Sequence, residues 1–348
     1  MNKIQDHPAY YGRNAYATPF TVLDVTSQIR VLVDSLGQEH LLRSKVVSTK
    51  TANDRSLICS MIFKQLAEGG FKPRSVLGIS AKHIEYLARR WEQEALSPAT
   101  IQTRFSLLRW FAAAIGKGGL IRDPSYYGLA KPSFARVLVA QEDKSWSTQN
   151  VNIQDVLSKV EPIDNIVAVQ LRLMHEFGLR LREAILMRPA LSHVGDTLRV
   201  EEGTKGGRTR VVLIRYDTQL QALELAKAMS RHCRKGSLVP EGHNFDTTRN
   251  RFYYVMRLCG ITKSQLGVTS HGLRHEYAND LYEELSGQPS VVRGASEILD
   301  RAKDRAARKA VTSDLGHVRL DVTAAYTGSM RSRRTPLPPK PDSGQTEA

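Results

Sequence analysis

A histidine and a tyrosine stand nine residues apart near the end of the chain, at His317 and Tyr326, with small and polar residues between them. On one unbroken helix, nine residues correspond to about 900° of rotation and about 14 Å of rise, which places the two side chains on opposite faces. They can share a site only if the chain bends between them. Asp321 and Thr323 are suitable caps for a short second helix that begins there. Taken alone, the stretch is more typical of a tyrosine that packs in the core on a terminal amphipathic helix.

The charge of the chain constrains its partner. The 348 residues include 50 lysines and arginines but only 35 acidic residues. The excess is spread over both halves, since residues 1–140 carry 19 basic and 10 acidic residues and the remainder carries 31 and 25. Two domains that both face a polyanion would show this distribution, and nucleic acid is the leading candidate.

Other features exclude competing classes of protein. The chain has no long apolar run and no lipidation signal, which argues against a membrane protein. Met1–Tyr16 lacks the apolar core of a signal peptide. The three cysteines, Cys59, Cys233 and Cys259, are too few and too scattered for a disulfide framework or a zinc site. We therefore expect a cytoplasmic protein with neither a disulfide framework nor a zinc site.

Apolar spacing predicts four helices in the first third of the chain. They run from Thr21 to Gly37, over 51–68, after Ser80, and from Ser97, where a proline occupies the first helical position. Short connections indicate a helical bundle over 21–127, with a flexible segment over 1–20 before it and a linker over 128–149 after it. Four arginines give this bundle basic outer faces, for which DNA contact and simple solubility are equally good explanations: Arg89, Arg90, Arg104 and Arg109.

A second domain is predicted over 150–330. The apolar helix over 163–177 stops at Gly178, and the next helix places Arg180 in its first turn, where free N–H groups and the helix dipole favour a bound phosphate. Glu183 could orient this guanidinium, or the two residues could form an ordinary surface ion pair.

Two further features follow in this domain. Predicted strands over 198–201 and 209–213 flank a glycine-rich turn with Lys205 at its tip, where a lysine is commonly just solvated. Later, Thr269 or Ser270 would cap a helix on which His271 and Arg274 lie one above the other. That pair could hold an anion, or it could simply anchor the start of the helix.

Together these residues resemble the tyrosine recombinases, the phage-type integrases. The motifs that carry the resemblance occur in order along the chain: Gly178-Leu179-Arg180 with Glu183, Lys205-Gly206-Gly207, His271-x-x-Arg274, Leu315-Gly316-His317 and Tyr326. By motif the resemblance covers about 150–330, whereas residues 40–125 match only as a helical bundle. Phe177 and Gly272 depart from the family pattern, which often has a threonine and an acidic residue there, but the chemistry needs neither side chain.

The resemblance implies a fold and a reaction. The fold is mainly α with a small antiparallel sheet: an N-terminal helical core-binding domain and a C-terminal α+β catalytic domain that together form a C-shaped clamp on DNA. The reaction cuts and rejoins duplex DNA through a 3′-phosphotyrosine intermediate and is expected to need no cofactor, metal or ATP. It would serve the integration or excision of a mobile element. A polar stretch over about 286–312 is expected to be an insertion relative to compact members. The composition of the Pro-rich end predicts a disordered tail over 331–348.

The resemblance also assigns roles to the residues. Arg180 and Arg274 would clamp the phosphate, Tyr326 would attack it, and Lys205 would protonate the leaving oxygen. His317 would hydrogen-bond the phosphate and His271 would take the proton of the tyrosine, although the sequence does not fix which histidine does which. His275 is interpreted as structural.

The implied partners are double-stranded DNA, further copies of the chain in a dimer to a tetramer, and accessory proteins that bend DNA or bias direction. Two other functions remain open from the sequence. One is a topoisomerase of type IB, with similar chemistry. The other is a non-catalytic DNA-binding regulator on the same scaffold, although a regulator has no use for a placed nucleophile.

Overall fold

The computed structural model describes residues 22–38 and 46–330, so the segment predicted over 1–20 and the tail over 331–348 lie outside the described residues. The chain divides into two compact units, Met1–Arg136 and Val137–Ala348. Both are mainly helical, and a small antiparallel sheet lies in the second unit, which confirms the predicted fold class.

The first unit is built from amphipathic helices that begin at side-chain caps. Its α-helices are α1 (Val25–Leu36), α2 (Thr49–Glu68), α3 (Ala81–Gln93), α4 (Pro98–Ala114) and the short α5 (Lys131–Phe134). Asp24, Ser48 and Ser97 each accept a hydrogen bond from a backbone N–H in the first turn of the helix that follows. These caps satisfy donors that the helix itself leaves free, which explains why the helices begin where they do.

Aromatic residues fill the core of the first unit. Trp91 is fully buried, meets Phe105 edge to face at 5.8 Å between ring centroids, and donates from Nε1 to Gln65 Oε1 at 2.9 Å. On the outside, Arg89 pairs with Glu85 on the same helix. Arg90 pairs with Glu94, the residue that follows α3, and with Glu68 of α2. The predicted basic face is therefore partly neutralised by neighbouring carboxylates.

The second unit surrounds its sheet with helices. Its elements are α6 (Ile153–Val160), α7 (Asn165–Phe177), α8 (Leu181–Leu186), α9 (Pro189–Ser192), β1 (His193–Val194), β2 (Thr197–Val200), β3 (Arg210–Leu213), α10 (Asp217–Ser230), α11 (Phe245–Leu258), α12 (Gly272–Ser286), α13 (Arg301–Asp314) and α14 (Ala324–Thr327). The strands pair antiparallel in the order β1-β2-β3.

The sheet buries one face in the usual alternating manner. Leu198, Val200 and Val212 are buried, whereas Val211 and Leu213 face outward. Arg210 lies on the same inner face as Val212 and is also buried. A buried arginine on a short strand needs a partner, and that partner belongs to the functional site described below.

The predicted insertion over 286–312 ends in a core helix. Ala307 and Val311 of α13 are fully buried, and the helix packs against α12. Tyr282 of α12 donates to Asp304 of α13 at 2.6 Å. Although the sequence of α13 is polar, one of its faces is part of the core of the second unit.

The range predicted as a linker, 128–149, is ordered over much of its length. Phe134 of α5 lies in the core of the first unit, and Trp146 is fully buried in the core of the second. Asp143 and Ser145 are buried as well.

The chain does bend between His317 and Tyr326. A 3₁₀ turn over Leu320–Thr323 leads into α14, so the two residues lie on separate elements. The predicted capping by Thr323 is wrong, however. Its side chain makes no cap hydrogen bond, and its hydroxyl instead contacts the hydroxyl of Thr312 on α13.

Gly178, between α7 and α8, allows a test of this architecture. Its φ is +57°, and a Cβ there would lie 2.6 Å from Cδ1 of the Tyr277 ring, whereas Gly195 has a φ of +55° and open space around it. Both Gly178→Ala and Gly195→Ala should cost about 1–2 kcal/mol for the left-handed backbone. Gly178→Ala should cost about 1–3 kcal/mol more, because the buried ring must move. Urea unfolding of the two variants measures the difference, and equal losses would show that the Tyr277 ring yields freely.

Candidate active site

Arg274, in the first turn of α12, lies at the centre of the site. It is fully buried and its guanidinium joins three segments of the chain. Nη1 donates to the backbone oxygen of Gly178, Nη2 donates to the backbone oxygen of Leu315 at 2.5 Å, and Nε donates to Oη of Tyr326 at 3.2 Å. Burial lowers the pKa of Arg274 to about 10, so the group still carries its positive charge at neutral pH.

Tyr326 is placed by this contact. Its side chain is on α14, only 6% of the residue is exposed, and its ring lies 5.8 Å from the Arg274 guanidinium carbon. Three histidine rings surround it: the ring centroids of His275, His317 and His271 lie 4.8, 5.7 and 6.1 Å from that of Tyr326. The tyrosine predicted as nucleophile is therefore enclosed by one arginine and three imidazoles.

The three imidazoles are neutral at pH 7. Loss of solvation and then the charges of neighbouring cations lower the pKa of His271 and of His317 to about 4, with Arg274 and Arg180 contributing to both. Loss of solvation and the adjacent His271 lower the pKa of His275 to about 4. A neutral imidazole can accept a proton or a hydrogen bond, which a protonated one cannot.

Glu183 organises the second cationic group. This fully buried carboxylate accepts two hydrogen bonds from the Arg210 guanidinium, at 2.9 and 2.7 Å, and two from Arg180, one from its backbone N–H and one from its Nη1, both at 2.8 Å. Burial alone would raise the pKa of Glu183, but the hydrogen bonds and charges of Arg210 and Arg180 outweigh it and lower the pKa to about 2.

Arg180 and Arg210 differ in how far their guanidinium groups remain available to a ligand. The Arg210 side chain is 5% exposed, and its Nε donates to the backbone oxygen of Asp314 at 2.6 Å, so it ties β3 to the end of α13. The Arg180 side chain is 25% exposed and keeps further N–H groups for an anion. Glu183 thus holds one arginine as a structural cation and orients the other.

Lys205 lies on the rim. It sits in the turn between β2 and β3, is exposed, and is close enough that its charge contributes to the lowered pKa of His317. The structure brings Arg180, His271, Arg274, His317 and Tyr326 together by contacts or mutual electrostatic influence, with Lys205 at the edge. All six are the residues that the sequence analysis selected.

The site holds two further residues that the sequence pattern does not single out for chemistry. The sequence predicts a structural role for His275, and its ring is nearer to Tyr326 than that of either other histidine. Its spacing of four from His271 on one helix was a usable signal, because such residues share a face. Arg210 carried no signal in the sequence, since its pairing with Glu183 spans 27 positions.

The charge of the site favours an anion. Among the described residues, Glu183 is the one carboxylate that pairs with Arg180 and Arg210, and no carboxylate pairs with Arg274. His317 Nε2 is buried and makes no hydrogen bond within the described ranges. Within those ranges, no group of three or more histidine, cysteine or acidic side chains is placed to hold a metal ion. A phosphate is an anion whose oxygens suit these donors.

Removal of the Glu183 carboxylate should destabilise the fold. Glu183→Ala leaves the buried Arg210 cation without its carboxylate, which costs about 3–5 kcal/mol. Because the pKa of Glu183 falls from 4.5 to about 2 on folding, its stabilisation is complete above pH 4.5 and is lost as the pH falls toward 2. Urea unfolding followed by circular dichroism at a series of pH values measures both effects.

The matched control is Glu142→Ala, an exposed glutamate that forms no ion pair within the described residues. It should leave the free energy of unfolding within about 0.5 kcal/mol of the parent. An equal loss in the two variants would contradict a specific role for the buried carboxylate.

Two family models match the chain: the integrase family over residues 141–280, and the N-terminal domain of phage integrases over residues 35–121. No curated protein matches it. None of the described helices is long and apolar enough to cross a membrane.

Solved structures share the fold. The lambda integrase dimer bound to a COC′ core site aligns with a TM-score of 0.55 and 15% identity, over 88% of this chain and 78% of that one. The XerH recombinase bound to palindromic difH substrate gives 0.52 and 15%, over 89% and 82%. The Tn1549 transposon integrase in complex with transposon right-end DNA gives 0.55 and 12%, over 90% and 98%. With its ordered motifs, the two matching family models and this fold, the chain belongs to the tyrosine recombinase family, the phage-type integrases.

Proposed function

We propose that this protein is a site-specific DNA recombinase that cuts and rejoins duplex DNA through Tyr326. The main support for the proposal is the position of the Tyr326 hydroxyl. It lies 3.2 Å from Nε of the buried Arg274, in a site where cationic side chains outnumber carboxylates. A tyrosine in the core for packing alone needs no such cluster. A nucleophile that attacks a phosphodiester does, because negative charge grows on the phosphate oxygens as it adds.

Arg180 and Arg274 would stabilise this developing charge. Arg274 is fixed in orientation by two backbone oxygens, so it is preorganised and loses little freedom when a phosphate binds. Arg180 is oriented by Glu183 and remains partly exposed. Two planar guanidinium groups from different elements can each contact phosphate oxygens and hold the phosphorus atom next to the tyrosine oxygen.

In the cleavage step, the Tyr326 oxygen would form a bond to phosphorus and the bond from phosphorus to the 5′ oxygen would break. The tyrosine proton would pass to one of the neutral histidines, for which His271, His275 and His317 all lie around the ring. The phosphotyrosine bond conserves the energy of the original bond, so a 5′ hydroxyl of a second strand can reverse the step without ATP.

Lys205 would supply the proton for the leaving 5′ oxygen. Its turn carries Gly206 and Gly207, both at positive φ with open space around them. An exposed lysine on a glycine-rich turn can approach a bound backbone, and an ammonium group can act as general acid.

The substrate would be double-stranded DNA, held by several copies of the chain. Structures of lambda integrase, as a dimer on a core site and as a tetramer on a Holliday junction, support an assembly of this kind. The net charge of +15 suits a polyanionic partner. Because Tyr326 and its arginines are in place, the recombinase is favoured over a non-catalytic regulator.

Tyr326→Phe should bind duplex DNA but form no covalent adduct, because it keeps the ring and loses the attacking oxygen. The target duplex is selected from a random-sequence library with this same variant, which retains binding. The selected duplex is then incubated separately with the parent chain and with Tyr326→Phe. A denaturing gel shows whether each of them forms an SDS-resistant protein–DNA adduct.

Tyr254→Phe is the matched control, since Tyr254 is a half-exposed tyrosine on α11. It should form the adduct at the parental rate. An adduct with Tyr326→Phe would place the nucleophile on another residue, and Tyr10, Tyr11 and Tyr282 would have to be tested.

Lys205→Ala should lose cleavage while it keeps DNA affinity. General acid catalysis is worth about 10²–10⁴ in rate, whereas one exposed ion pair contributes at most about 1 kcal/mol. A substrate with sulfur at the 5′ bridging position has a leaving group that needs no proton. Single-turnover cleavage of this substrate by Lys205→Ala should approach the parental rate.

Arg180→Ala is the comparison for this experiment, because charge stabilisation is still required with a sulfur leaving group. It should stay slow on both substrates. If sulfur restores nothing to Lys205→Ala, the lysine binds phosphate or holds the turn, and the general-acid assignment is wrong.

A further inference from the structure

The segment over residues 140–148, which leads into α6, runs along the candidate active site. The backbone N–H of Ala140 donates to the backbone oxygen of Ala324 at 2.8 Å. Ala324 is the first residue of α14 and stands two positions before Tyr326. The 140–148 segment therefore binds directly to the helix that carries the tyrosine.

Buried side chains fix the middle of this segment. Asp143 Oδ1 accepts from the backbone N–H of Ser145 at 2.9 Å, and its Oδ2 accepts from Arg293 Nε at 3.0 Å. Hydrogen bonds outweigh the effect of burial and lower the pKa of Asp143. Trp146 is fully buried and donates from Nε1 to the backbone oxygen of Thr269 at 2.8 Å. Lys144 lies between the anchors Asp143 and Trp146, so its backbone is held from both sides.

Lys144 lies against the start of α12. A Cβ added to Gly272 would come within 2.7 Å of the Lys144 backbone oxygen and 2.7 Å of Cδ1 of Trp146. Gly272 is the residue directly after His271, and the lack of a side chain lets the two backbones meet. This contact sets Lys144 beside the turn that carries His271, Arg274 and His275.

The Lys144 side chain is exposed, in contrast to its buried neighbours Asp143, Ser145 and Trp146. It forms no ion pair among the described residues, and the adjacent Asp143 pairs with Arg293. Its positive charge is among the influences that lower the pKa of both His271 and His275. An unpaired ammonium group on a rigid backbone, next to two residues of the site, adds to the positive charge that an anion would meet.

We propose that Lys144 is a further substrate-binding residue of the site and that its ammonium group contacts a phosphate of the bound DNA beside the one held by Arg180 and Arg274. The assignment rests on the proposed function, because it takes DNA as the substrate. The anchoring of the segment gives the contact its physical advantage. Since the Lys144 backbone is already ordered, only the side chain loses freedom on binding.

The test is the salt dependence of DNA binding by the full chain. Each neutralised phosphate contributes about 0.9 to the slope of log affinity against log salt concentration. Lys144→Ala should lower the magnitude of this slope by about 0.9, and Lys144→Arg should restore it. The probe is a fluorescein-labelled 40-base-pair duplex of random sequence, and its affinity is measured by fluorescence anisotropy at increasing NaCl concentrations.

Lys159→Ala is the matched control, since Lys159 is an exposed lysine on α6 whose charge does not act on either histidine. It should leave the slope unchanged. The proposal for Lys144 is overturned if Lys144→Ala leaves the salt slope unchanged, or if Lys159→Ala reduces the slope by the same amount. Neither result would affect the proposed function, which is tested separately by the covalent adduct of Tyr326. If the parent chain itself shows no salt-dependent binding, the proposed function fails together with this inference.

Discussion

The buried guanidinium of Arg274 is the interaction on which the rest of the second unit depends. A cation without solvent is costly unless its donors are satisfied, and here the partners come from the end of α7, the end of α13 and the tyrosine of α14. Three segments far apart in the chain must therefore meet at one point. The guanidinium that joins these segments by hydrogen bonds also carries the positive charge that a phosphate requires, so one residue serves both the fold and the proposed reaction.

The site separates structural cations from those that can reach a ligand. Arg210 is buried and bound on two sides, by Glu183 and by the backbone of Asp314. Arg180 shares the same carboxylate but remains partly open. Because Glu183 satisfies both arginines, Arg180 is oriented without being neutralised completely. A second network strengthens the same region, in which Asp314 accepts hydrogen bonds from Tyr277 and Arg215 and so fixes the end of α13 just before His317.

The protonation state of the three histidines is set by their surroundings. All three are surrounded by cations and have lost solvent, and both effects disfavour the imidazolium form. They are therefore acceptors at neutral pH, beside the tyrosine that would lose its proton in the proposed reaction. Burial contributes most to this shift, and for His271 and His317 the charges of Arg274 and Arg180 lower the pKa further.

The sequence by itself predicted helices of the first unit, the hairpin that carries Lys205 and six candidate residues for the proposed reaction. These features are local: apolar residues repeat with the period of a helix, Ser97 and Pro98 mark a helix start, and the glycines after Lys205 mark a turn. Only the tertiary structure decided which of these residues contact one another. The pairing of Arg210 with Glu183, the place of α13 in the core, the nearness of His275 to Tyr326 and the path of residues 140–148 along the site all join positions far apart in the chain or on different elements. Local patterns carry no information on such contacts, because burial and long-range packing select them only when the chain folds.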